Sequence, residues 1–280
     1  MTDSASVSRL SPKDAEDEAA RFLALQLAPR IDALAEYANG QGASTVSAES
    51  PLAGDDAAAD PFQVSHTAWH GIAHAVDNLQ AFRRLTVSGE GDHFDVSTHP
   101  FAAYPLLRAA LENASVALWL LAPEDADERL TRRFRLVLQD AAHGDDVARL
   151  MGHEPTTYER RVERVSGLIA NRPSVDLAAC KKRAGFRAIV PEAAEGTGTD
   201  ANTASVVWRL LSGLTHGDQW ASLAWAEREQ VDLSADGTVF TVRMTASLAN
   251  TANMARYVVA LAESSTRAFE MRKAPVDSDA

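Results

Sequence analysis

Arg209 and His216 stand seven residues apart in the segment ANTASVVWRLLSGLTHG, whose other side chains are mostly apolar. Ser205, Arg209, Ser212 and His216 are spaced by 4, 3 and 4, which sets all four on one face of a helix. A guanidinium and an imidazole about two turns apart suit phosphoryl chemistry, because the arginine binds phosphate oxygens through charged hydrogen bonds and the imidazole exchanges a proton near neutral pH. The same residues also have a structural reading. Arg209 would then pair with a buried carboxylate, and His216 would end the helix where its cation meets the negative end of the macrodipole.

A second stripe, Tyr104, Arg108, Glu112 and Ser115, lies in FAAYPLLRAALENASVALWLLAP, the most hydrophobic segment of the chain. Polar groups in such a helix need partners. Arg108 and Glu112, at i and i+4, satisfy each other in the structural reading. In the functional reading Glu112 faces Arg209 or His216 and orients the cation or tunes the imidazole.

His66, His70 and His74 form a third stripe. His70 and His74, four apart, have the spacing to chelate one zinc-like ion. The outer two are about 12 Å apart along a helix axis, so a metal would need a ligand from elsewhere, with Asp140 and His143 the candidates. Glycine-rich phosphate loops, nucleophile elbows, HExxH and paired ExxH carboxylates do not occur, and neither a metal nor another cofactor is expected. Cys180 is the single cysteine; Lys181 and Lys182 beside it would favour a thiolate, whereas burial would leave it an inert thiol.

The elements that must position these residues are helical almost throughout. Ser11-Pro12-Lys13-Asp14 starts a helix that should kink or restart at Pro29 and end at Asn39-Gly40. Residues 41–61, rich in Ala, Ser, Gly and Asp, read as a flexible linker. Helices are then expected from about Val64 to Leu85, from about 100 to Pro123, over 124–151, near 156–171 and 174–184, from Asp200 as cap to Gly217, on to about Arg228, and from about Ser247 to Lys273. Ser88-Gly89-Glu90-Gly91 reads as a loop. Alternation about Ala235-Asp236-Gly237 marks the one expected hairpin, near 230–243. The expected architecture is an all-α, up-and-down helical bundle over 62–274 with a small appended β-hairpin, an N-terminal helical segment at 11–40, and loose tails at 1–10 and 275–280.

The chain has 280 residues, 46% of them hydrophobic and 24% charged, enough for a substantial core in one folded unit. A formal charge of −12 disfavours indiscriminate attraction to nucleic acid or anionic membranes. The charge is uneven: residues 1–60 carry eleven acidic and four basic side chains, residues 125–190 ten acidic and thirteen basic. Arg132, Arg133, Arg160, Arg161, Lys181, Lys182 and Arg183 therefore mark either a local basic surface or ordinary solvated helix faces. The lone cysteine fits a reducing compartment, and the polar, acidic start has no apolar signal segment. The expectation is a cytoplasmic protein without a membrane partner.

Arg209, six intervening residues and His216 resemble the Arg-x4-6-His signature of HEPN domains, helical bundles that often dimerise and act as metal-independent ribonucleases in toxin and phage-defence systems. That resemblance implies Arg209 on the scissile phosphate, His216 in proton transfer, RNA or a nucleotide as partner, and a homodimer. The pairing of LLRAALE, residues 106–112, with Ser212 to His216 also resembles an all-helical bacterial family, common in actinobacteria, over roughly residues 64–225. This second likeness implies a fold and no mechanism. Two further readings stand beside the ribonuclease: a noncatalytic helical binding or assembly module, and a metal-binding bundle using His70 and His74.

Overall fold

The computed structural model describes residues 12–90, 93–97 and 99–275. The chain runs through α1 (Pro12–Phe22), a π-helical turn (Leu23–Leu27), α2 (Ala28–Asn39), α3 (Pro51–Ala59), α4 (Val64–Thr86), β1 (Val87–Glu90), β2 (His93–Val96), α5 (Ala103–Leu121) and α6 (Ala126–Leu150). It continues through α7 (Thr157–Ile169), α8 (Leu177–Cys180), α9 (Phe186–Glu195), α10 (Ala201–His216), α11 (Gln219–Trp225), β3 (Glu227–Leu233), β4 (Phe240–Thr245) and α12 (Leu248–Lys273). The result is an all-α bundle with small antiparallel hairpins appended. Among the described residues no helix is long and apolar enough to cross a membrane. Tails are expected at 1–10 and 275–280; residues 1–10 and 276–280, and the Ser11 cap, lie outside the described residues.

α5 is the axis of the bundle because it is apolar on nearly every side. It packs against α4, α12, α9 and α10, and Leu107, Ala110, Leu111, Ala114 and Leu118 are buried along it. Each buried leucine contributes about 1.5–3 kcal/mol relative to an exposed one. The α4–α5 approach is close at Gly71, where an added Cβ would lie 2.8 Å from the Asn113 carbonyl oxygen and 3.2 Å from the Ala117 Cβ. The N-terminal helices join the same core through Leu23, Leu27 and Ile31, and Arg30 fixes α2 to α12 through two 2.7 Å bonds to Glu263. Pro29 sits in the first turn of α2, directly after the π turn, where its missing N–H is tolerated.

Three expectations are corrected. The stretch expected to be a flexible linker contains α3, a packed helix. Ser50 caps it by accepting from the Ala53 N–H, Pro51 occupies its first turn, and Leu52 and Ala59 are fully buried. Asp55 on α3 takes two bonds from Arg129, at 2.6 and 3.0 Å, and the remaining Arg129 nitrogen donates to the carbonyls of Pro123 and Glu124. A buried bidentate pair of this kind anchors α3 to α6. Secondly, Ser88, Gly89 and Glu90, expected to form a loop after α4, belong to β1, which pairs with β2 in the register Val87↔Val96 to Glu90↔His93, while Gly91 of that expected loop lies outside the described residues. Thirdly, α9 arises where no helix was expected, and the helix expected over 174–184 is only α8. The hairpin expected near 230–243 is present and longer, β3 pairing with β4 from Glu227↔Thr245 to Leu233↔Phe240 around Gly237.

Candidate functional site

The site is built at the C-terminal end of α10. Asp200 caps the start of that helix by accepting from the Thr203 N–H at 2.8 Å. Gly217, at φ +73°, stops it in the left-handed conformation that favours glycine. His216 is therefore the last helical residue, and its side chain is exposed. α11 folds back over this end so closely that a Cβ on Gly213 would meet Ala221 at 2.7 Å and Trp220 at 3.0 Å.

Arg108 reaches His216 from α5. Its Nη1 lies 2.7 Å from His216 Nε2, and its Nε donates to Glu112 Oε1 at 3.0 Å. A guanidinium only donates, so Nε2 is the accepting nitrogen and Nδ1 is left to carry the ring proton. The same Glu112 Oε1 accepts from Trp208 Nε1 at 2.9 Å. Arg108 and Glu112 are largely enclosed, with side chains 21% and 14% exposed. Trp208, Glu112, Arg108 and His216 thus form one continuous polar chain between α10 and α5.

Arg209 stands apart from this chain. Its side chain is exposed and has no carboxylate partner among the described residues. The expectation that Glu112 would face Arg209 or His216 is corrected: Glu112 meets Arg108 and Trp208, and it reaches His216 only through Arg108. Neighbouring positions on a helix point about 100° apart, which turns Trp208 toward α5 and Arg209 toward solvent. The structural reading of Arg209 as partner of a buried carboxylate is corrected by the same fact.

Of the other residues singled out in the sequence, Ser205 bonds back to the Ala201 carbonyl of its own helix at 2.9 Å, and Ser212 is half-buried. Tyr104 does not join the site. Each four-residue step along α5 rotates by about 40°, which carries Tyr104 to the α12 side. There it is buried with its hydroxyl 3.4 Å from Thr251 Oγ1. Ser115 is also fully buried, and among the described residues its hydroxyl has no hydrogen-bond partner.

His66, His70 and His74 line the exposed face of α4, with the rings of His70 and His74 4.2 Å apart. Among the described residues no three His, Cys, Asp or Glu side chains gather as a metal site. Cys180 is buried, and burial, aided by Asp176, pushes its thiol up to about 11; it is an inert core group despite Lys181 and Lys182.

Comparison of the chain with protein-family models, with curated proteins and with solved structures gave no match.

Proposed function

We propose that this chain is a HEPN-like helical protein that binds RNA or a nucleotide and cleaves phosphodiesters without a metal, with His216 and Arg209 as its catalytic residues. The observation that carries the reading is an exposed imidazole held by a guanidinium whose own charge is already matched by Glu112. Arg108 is thereby spent on orienting the ring. Arg209, about 10 Å along the same helix face, is a cation with no carboxylate partner among the described residues and is available to a phosphate. In this reading the ribose 2′-hydroxyl attacks the adjacent phosphorus and gives up its proton to water, while Arg209 neutralises charge developing on the phosphorane. As the P–O5′ bond breaks, the proton on Nδ1 of His216 passes to the leaving oxygen, which leaves a 2′,3′-cyclic phosphate. Glu112 and Trp208 act through Arg108 as positioning residues. The resemblance to HEPN domains further suggests a homodimer as the working form.

The test is cleavage of single-stranded RNA by purified protein in excess chelator. Cleavage should fall by about 10²–10⁴-fold in His216→Ala, the usual worth of a positioned acid or base. Absence of cleavage by folded wild-type protein, or undiminished cleavage by His216→Ala, rejects the assignment. A noncatalytic binding module is the second reading, favoured by the closure of Glu112 between Arg108 and Trp208. It predicts RNA or nucleotide binding without turnover.

A further inference from the structure

The basic residues near 133 and 161 supply a different site, at the junction of α6, α7 and the Phe62–Gln63 turn. A cavity of about 260 Å³ is lined there by Phe62, Arg133, Asp140, Thr157 and Arg161, among others. Arg133 is fixed by its Nε, which donates to the carbonyls of Phe62 at 2.8 Å and Gln63 at 3.1 Å. Its two terminal nitrogens have no hydrogen-bond partner among the described residues, and no carboxylate lies within ion-pair distance. Arg161 enters from α7 with its guanidinium 4.8 Å above the Phe62 ring, also without an ion pair among the described residues. Stacking of this kind fixes the plane of the fork while leaving its N–H edge available.

Two guanidiniums lining one cavity repel each other, and Arg133, the more enclosed of the two, loses hydration there. Burial, with Arg161 adding to it, pulls the Arg133 guanidinium down to about 10, an unusual displacement for arginine. Asp140 and Asp56 oppose this without pairing to it; the Asp56 carboxylate is occupied by the backbone N–H and hydroxyl of Ser65. The N–H groups of Thr157 and Tyr158 at the start of α7 are taken by Asp145 and are not available. The charged side chains lining the cavity are Arg133, Arg161 and Asp140, so the lining carries a net positive charge.

We infer that this cavity binds the phosphate group of a small phosphorylated molecule, with Arg133 and Arg161 as the two donors. Two charged forks answer the several oxygens of one phosphate. Ligand pockets for whole nucleotide-sized molecules run to roughly 300–1,000 Å³, so this one suits a phosphate with a small organic substituent. Asp140 shares the lining with the two arginines, and Arg160 and Arg164 flank Glu163 in the adjoining groove, so it is the cavity's size that favours a small phosphate over a long polyanion. The site shares no residue with the His216 cluster and stands or falls separately from it.

The experiment is calorimetric titration with inorganic phosphate and with phenyl phosphate at fixed ionic strength set by chloride, on wild-type protein, Arg161→Ala and Arg133→Met. Saturable binding of both phosphates is expected, weakened at least about tenfold in Arg161→Ala, whose exposed position keeps the fold intact. Arg133→Met should weaken it likewise, and circular dichroism checks that this variant is folded. No saturable heat from either phosphate in the wild-type protein, or equal affinity in Arg161→Ala, overturns the inference. Binding of an RNA oligonucleotide that depends on Arg161, with no phosphate binding, overturns it in favour of a nucleic-acid surface.

Discussion

Arg108 on α5 and His216 at the end of α10, 108 positions apart in the chain, meet with Nη1 2.7 Å from Nε2. The contact ties the exposed imidazole to the most buried helix of the protein. Through Glu112 it continues to Trp208, so the orientation of the ring is set by a closed set of bonds between two packed helices.

Stability should respond very differently to the two neighbouring polar positions. Glu112→Ala strands both the Arg108 guanidinium and the Trp208 N–H and should cost about 1–3 kcal/mol. Arg209→Ala removes an exposed side chain without an ion-pair partner among the described residues and should stay within about 0.5 kcal/mol of wild type. Chemical denaturation of both variants provides the comparison. Equal losses would mean that Arg209 has a partner in solution.

Asp55→Ala should be among the most damaging single changes outside the site. Asp55 and Arg129 are each 3% exposed, and removing the carboxylate leaves a buried, uncompensated guanidinium at a cost of about 3–5 kcal/mol. Replacing both by apolar residues of similar volume should recover much of that loss. Urea unfolding of the single and double variants would show it; a single variant within 1 kcal/mol of wild type, on the order of a surface substitution, contradicts the anchoring of α3.

Acid should loosen α7 through Asp145. The N–H groups of Tyr158 and Thr157 bond to its carboxylate and hold it below the usual carboxylate range. A depressed folded-state value means that the stabilisation is complete above the unfolded value of about 3.9 and is lost as pH falls further. Melting temperature measured between pH 6 and pH 2 should therefore drop below about pH 4, and the drop should be shallower in Asp145→Ala. An identical acid limb in that variant would assign the loss to other carboxylates.

Much of the architecture was legible because long amphipathic or fully apolar runs leave few alternatives. The 3.6-residue period placed α4, α5, α6, α10 and α12, and Asp200, Gly217 and Ser247 marked ends that the structure keeps. α3 was not legible in this way. Its alanines show no face, and what holds it is the pairing of Asp55 with Arg129, 74 positions away. α9 was hidden by Pro191 inside the helix, where only tertiary burial of Val190, Ala193 and Ala194 compensates for the lost hydrogen bond.

At the site, the i, i+4 spacing of Arg108 and Glu112 translated directly into an ion pair. Which arginine would touch His216 did not follow from spacing, since it depends on how α10 crosses α5. Trp208 looked like part of the apolar wall; its indole N–H makes it a polar partner of Glu112.

Phosphate chemistry at His216 would show in the imidazole NMR signals of the protein during titration with a short, noncleavable RNA analogue. The His216 ring signals should shift saturably, those of His66, His70 and His74 on α4 should stay unmoved, and Arg209→Ala should weaken the titration. RNA binding that leaves His216 unmoved, or no binding by folded protein, contradicts phosphate chemistry there.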